Sequence, residues 1–309
     1  MRGLFVVFKK ELRDLLGSRR FFILFLLVVF ASLSSTYYAA QGIMEEVGRS
    51  PFAFLLLFTT SGKFLPSFLF FISFFGPLIG IIFGFDAVNR EHASGTISRV
   101  LSQPIYRDSF INGKFLAGIT TLAILLLSMI LLISGIGLRM LGVPPTRDEI
   151  LRLVFFFVFT LFYFGFWLSL SILFSIIFRT TTTSALMSIG VWMFFVFFMF
   201  MIAGVIADTL VPVQSDSPID VRLHHDRIER MIMLISPTTL YQEGVQAILI
   251  PLARGIGLML LREPFYIPTP IPISESLKLV WPQITSLVAL TLFCFACSYY
   301  IFMRQEIRS

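Results

Sequence analysis

Few side chains in this sequence combine the types and spacing that chemistry needs. His225 and Glu229 stand four residues apart, so on a helix they share a face. Two donors on one surface turn suit a solvated face better than a metal shell, and no metal ligands are assigned. Cys294 and Cys297 have the spacing of a redox pair but lie inside an apolar run. A thiolate there has neither solvent access nor a stabilising charge, so packing is the reading that fits. Gly62-Lys63 and Gly113-Lys114 end like a nucleotide-phosphate loop, yet both lack the upstream glycine and the following hydroxyl. No residue is assigned as catalytic.

The elements that must hold these groups are set by composition. Of the 309 residues 57% are hydrophobic, 37 are Phe and only 14% are charged, against about 25% in soluble domains. Apolar runs of the length that crosses a hydrocarbon core of about 30 Å cover 21–40, 64–85, 115–138, 153–178, 184–207 and 284–303. The fold class is therefore all-α and polytopic, with about six transmembrane helices. None of these runs contains Asp, Glu, Lys, Arg or His. Ion-coupled transporters and intramembrane hydrolases place such groups at membrane depth, so energy for uphill movement has to come from another subunit. The net charge of +6 sits beside the runs, which suits lipid headgroups and not nucleic acid.

Ahead of the first run, Phe5, Phe8, Leu12, Leu15 and Leu16 recur at helical spacing opposite Lys9, Lys10, Arg13 and Asp14. Residues 1–20 thus read as a cytoplasmic amphipathic helix lying in the membrane interface. The run that follows is too long for the core of a leader peptide and is expected to be a true span. With this end inside, 13 Lys and Arg fall on cytoplasmic segments against five on the short outer loops, which predicts both termini in the cytoplasm. Residues 245–261 are apolar enough to suggest a seventh span. Arg254, Pro251, Gly255 and Gly257 offset that tendency, so the segment is expected to form broken, re-entrant or interfacial outer helices within a long extracytoplasmic loop, 208–283.

The segment 86–114 carries a recognisable pattern. Glu91, Gly95-Thr96, Pro104, Arg107 and Gly113-Lys114 reproduce, in order, an acid-x-x-x-Gly-Thr sequence, a Pro-x-x-Arg turn and a Gly-Lys opening the third span. With the N-terminal amphipathic "elbow" bearing Glu11, the six runs, Ser236-Pro237 and a short basic tail, the whole chain resembles the permease subunits of type-2 ATP-binding-cassette (ABC) transporters. The nearest in look are nitrous-oxide-reductase-maturation permeases and multidrug or antibiotic exporters. On its own, a short amphipathic cytoplasmic helix either lies on the membrane or seats in a partner's groove. The resemblance implies docking and coupling to a separate ATPase through Arg90, Glu91, Gly95, Thr96, Arg99, Pro104 and Arg107. ATP and magnesium would sit on that partner, and no cofactor on this chain. It also implies pairing with a second copy or a paralogous permease.

Three patterns within the spans bear on this. Gly76, Gly80 and Gly84 form a small-x-x-x-small ridge for close helix approach, within one chain or between two permeases. Thr160, Tyr163, Trp167, Ser171 and Ser175 fall along one face of span four, as interhelical hydrogen bonds or a translocation path. Phe194, Phe197, Phe198 and Met201 make an aromatic stripe on span five for lipid or a hydrophobic substrate.

The sequence thus reads as one permease domain over 1–309, in the plasma membrane of a prokaryote, exporting an amphipathic or hydrophobic molecule. The rival reading is a membrane enzyme or assembly scaffold working through the 208–283 loop. A channel is disfavoured because no ring-forming charge or polar filter is present.

Overall fold

The computed structural model describes residues 2–43, 52–60, 67–93, 106–214, 217–250 and 271–304. Among these there is no strand, and six helices are long and apolar enough to cross a membrane. The amphipathic helix α1 (Arg2–Leu16) turns at Gly17 into the first span, α2 (Arg19–Ile43). Ser18 makes the corner: its hydroxyl donates to the Leu15 carbonyl at 2.7 Å and accepts the Phe21 N–H at 3.1 Å, capping α2. A short helix α3 (Ala53–Thr59) precedes the second span, α4 (Phe68–Gly84), and α5 (Asn89–Ala93) follows it at the opposite end. Then come α6 (Arg107–Leu141), α7 (Arg147–Ile177) and α8 (Thr181–Leu210) as spans three to five. Helices α9 (Ile219–Met233) and α10 (Pro237–Leu249) lie at the α3 end of the bundle, and α11 (Ile273–Arg304) is the last span.

Helix α7 is the axis of the bundle, packed by α4, α6, α8, α10 and α11. The glycine ridge of α4 seats directly on it. A Cβ on Gly76 would overlap the Phe164 ring, one on Gly80 would lie 3.0 Å from the Phe164 carbonyl, and one on Gly84 would lie 2.8 Å from Ser171 Cβ. All three glycines are therefore used inside the chain. The subunit-contact reading of this ridge is corrected, because a second permease cannot reach a face that α7 already covers.

The spans extend beyond the apolar runs. With 35 residues, α6 is about 50 Å long and begins well ahead of the apolar run 115–138. It stops at Gly142, whose φ of 67° is the left-handed conformation that glycine adopts without steric cost. Helix α8 is interrupted by a π-helical turn, Phe194–Phe198, which holds three residues of the aromatic stripe. Phe194, Phe197, Phe198 and Met201 are all exposed on the bundle's outer surface.

The outer loop dips into the bundle, but at a different place from the one expected. Thr160 and Tyr241 share a hydrogen bond at 2.8 Å, the Tyr163 and Tyr241 rings stack at 4.1 Å, and the Ile248 carbonyl meets Arg152 near the start of α7. Helix α10 therefore runs outward alongside α7, with Ser236-Pro237 as its deepest point. That point lies about 16 Å below Arg152 along the α7 axis, from the 1.5 Å helical rise. The expectation placed the dip at 245–261. Residues 245–249 are instead the outgoing end of α10, and 251–261 lie outside the described residues. Hydropathy alone does not mark the 236–244 part of the dip, because α10 begins with Pro-Thr-Thr and carries Gln242 and Glu243.

Candidate functional site: the cytoplasmic base and the polar core

The inner ends of the helices converge on α5. Ser175, on the last turn of α7, accepts the backbone N–H groups of Val88 (2.9 Å) and Asn89 (3.2 Å), which fixes where α5 begins. Just before it, Asp86 receives Arg20 Nη1 at 2.7 Å, and the Arg20 guanidinium lies 5.1 Å from the Phe85 ring. This ties the foot of α2 to the foot of α4. Lys114 on α6 is buried and donates to Glu91 Oε1 of α5 at 2.8 Å, while Glu11 Oε2 of α1 lies 3.1 Å away. Burial pushes the Glu11 carboxyl up, but the Lys114 and Lys10 charges outweigh it and hold Glu11 below the usual carboxylate range.

Of the residues expected to dock an ATPase, Arg90 is exposed and Arg107 opens α6. Gly95, Thr96, Arg99 and Pro104 lie outside the described residues. Glu91 differs from expectation. Its side chain turns inward to Lys114, so it organises the segment from within. The family pattern contained Lys114 and the elbow contained Glu11, but nothing local to either residue links them across 103 positions.

The polar stripe of span four is likewise engaged internally. Tyr163 donates to the Ser73 carbonyl at 2.8 Å, Ser171 to the Ile81 carbonyl at 3.0 Å, Thr160 bonds Tyr241, and Ser175 holds α5. Thr160, Tyr163, Trp167, Ser171 and Ser175 are all buried, so in this conformation the stripe fastens α4, α5 and α10 to α7 and lines no open passage. Interhelical hydrogen bonding, the first of the two alternatives for the stripe, is what its residues do in this conformation.

The outer side holds charges that the sequence left in loops. Glu149 closes a capping box with Thr146, as the Thr-x-x-Glu spacing allows, and its other oxygen accepts the Phe54 N–H at 3.0 Å at the start of α3. Arg152 is fully buried. It bonds Asp148 (2.7 Å), the carbonyls of Ile248 (2.7 Å) and Ile271 (2.5 Å), and Ser276 (3.3 Å). Arg230 and Glu243 form a two-pronged pair at 2.8 and 2.9 Å between α9 and α10. Glu243 lies beside Gly244, which packs on Phe159, about 10 Å below Arg152 along α7. Ionisable groups are thus absent from the apolar runs but are carried inward by the dipping hairpin.

His225, Asp226 and Glu229 do come together, with one donor atom each within 4.8 Å of the others. His225 Nε2 is hydrogen-bonded to Asp208 Oδ1 at 3.0 Å, and that contact raises the imidazole above its usual pKa. Cys294 is buried and Cys297 half-buried, both as free thiols.

Residues 5–307 match the family model described as "ABC-2 family transporter protein". A search of curated proteins returned no match.

Proposed function

Since the chain belongs to the ABC-2 transporter family, we propose that it is the permease subunit of an exporter driven by a separate ABC ATPase. The observation that carries this reading is the cytoplasmic base. There α1, α5 and α6 are joined by buried ion pairs beneath spans whose apolar runs hold no ionisable residue. ATP and magnesium belong to the partner, whose motion is received by the segment 86–114 with Arg90 on its surface. The chain sits in the plasma membrane of a prokaryote, with both termini and α5 on the cytoplasmic side. A second copy or a paralogous permease completes the transporter. With the glycine ridge occupied by α7, the surfaces left for that contact are the exposed apolar faces of α2 and α8, the least buried spans. The substrate is amphipathic or hydrophobic, in keeping with exposed Phe194, Phe197, Phe198 and Met201 on α8.

The test is ATP-dependent uptake of a panel of lipophilic fluorescent dyes into inside-out vesicles containing the permease and its co-purifying ATPase. Uptake that needs hydrolysable ATP and moves dye from the cytoplasmic to the outer face supports export. Uptake that a proton gradient drives without ATP contradicts it.

A further inference from the structure

Lys114 lies where α1, α5 and α6 meet. Its side chain is 5% exposed, lies between Glu91 of α5 and Glu11 of α1, and rests 4.9 Å from the Phe110 ring beneath it on α6. Lys10 closes the cluster from the solvent side, 3.0 Å from Glu11 and 3.8 Å from Glu91. The neighbouring residue allows the approach. A Cβ on Gly113 would lie 2.7 Å from Val7 Cγ1, so glycine lets α1 come close enough for Glu11 to reach the ammonium.

A buried ion pair is a poor device for stability alone, since apolar side chains of similar volume often serve as well. What it supplies is geometry, because a buried ammonium is satisfied only when its carboxylates stand in one arrangement. At its start, α5, five residues long, is fixed by Ser175, which accepts the N–H groups of Val88 and Asn89; a segment held only there would be a short, unanchored turn. Such a segment would yield locally when pushed.

We infer that Lys114 is the positioning residue of energy coupling. It pins α5 and α1 to the base of α6, so that displacement of α5 by the ATPase moves the three together and reaches the spans through α6. This rests on the ATPase-driven reading above. It assigns Glu11 and Glu91 as the two arms of the pin, and α1 as a part of the lever in addition to a membrane-surface helix.

The experiment uses the permease–ATPase complex purified from its host membrane, with Cys294 and Cys297 replaced by serine. Spin labels at Leu138 on α6 and Val205 on α8, both exposed, report the relation of these spans. The distance is measured before and after trapping with ATP and orthovanadate. In the parent the distance shifts on trapping. In Lys114→Met the ATPase still co-purifies but the shift falls to less than about a third, and Lys114→Arg, which can still reach both carboxylates, restores it. If Lys114→Met does not accumulate, Glu91→Gln carries the test: the shift should fall to about half. A parent-like shift in Lys114→Met, or in Glu91→Gln where that variant is used, overturns the pin while leaving the transporter reading intact. A parent chain that holds no ATPase, or does not respond to trapping, overturns that reading and the pin with it.

Discussion

Replacing Arg152 with methionine removes the charge at the outer end of the bundle while keeping much of the side chain's volume. The guanidinium joins three elements: α7 through Asp148, the end of α10 through the Ile248 carbonyl, and the entry to α11 through Ile271 and Ser276. The costs are unequal. Asp148 is 37% exposed and can turn to water, so its loss is worth about 1 kcal/mol or less. The two carbonyls lose charge-assisted partners, at about 1–2 kcal/mol each. The sum, about 2–5 kcal/mol, overlaps the range of about 3–5 kcal/mol for breaking a buried charged contact and is a large share of a typical stability of about 5–15 kcal/mol. Reversible unfolding in mixed micelles should show this loss for Arg152→Met, about half of it for Arg152→Lys, and about 1 kcal/mol or less for Asp148→Asn. An Arg152→Met variant within about 1 kcal/mol of the parent would refute the reasoning. So would an Asp148→Asn variant as unstable as Arg152→Met, since the carbonyls would then not be the partners that matter.

Gly80→Leu should overpack the α4–α7 contact and destabilise the fold by about 1–3 kcal/mol or more, yet leave the oligomeric state in detergent unchanged. Monomers appearing at full stability would return the ridge to a subunit interface. The raised pKa of His225 makes its bond to Asp208 a low-pH contribution. It is complete below the ordinary imidazole value of about 6.5 and is lost as pH rises through the folded value. Hydrogen exchange in α9, corrected for intrinsic rates, should therefore be slower at pH 6 than at pH 8.5, and Asp208→Asn should reduce the difference to the smaller share due to Asp226 and Glu229.

The six spans and the elbow are legible in the sequence because each rests on a local signal, an apolar run or a helical repeat. The ridge at Gly76, Gly80 and Gly84 is legible as a place of close approach, but its partner is not, since Phe164 and Ser171 carry no mark that names α4. The same limit hides Lys114, whose partners lie 23 and 103 positions away. Arg152 counts as one more outer-loop charge until carbonyls 96 and 119 positions away close over it. The hairpin of α9 and α10 escapes hydropathy for a different reason. Among their described residues, α9 buries none and α10 is short and partly polar, so the apolar 245–261 draws attention from the true bend at Ser236-Pro237.

The central claim is that the cytoplasmic face around α5 receives force from an ABC ATPase. Arg90 is exposed on α5 beside the inward-facing Glu91, so a photo-crosslinking amino acid at 90 samples that contact directly. After irradiation of native membranes, the account predicts a covalent adduct with an ABC ATPase from position 90 and none from position 219, which is exposed on the outer α9. Adducts from position 90 with lipid or with this chain alone, in membranes where the ATPase is present, would contradict it.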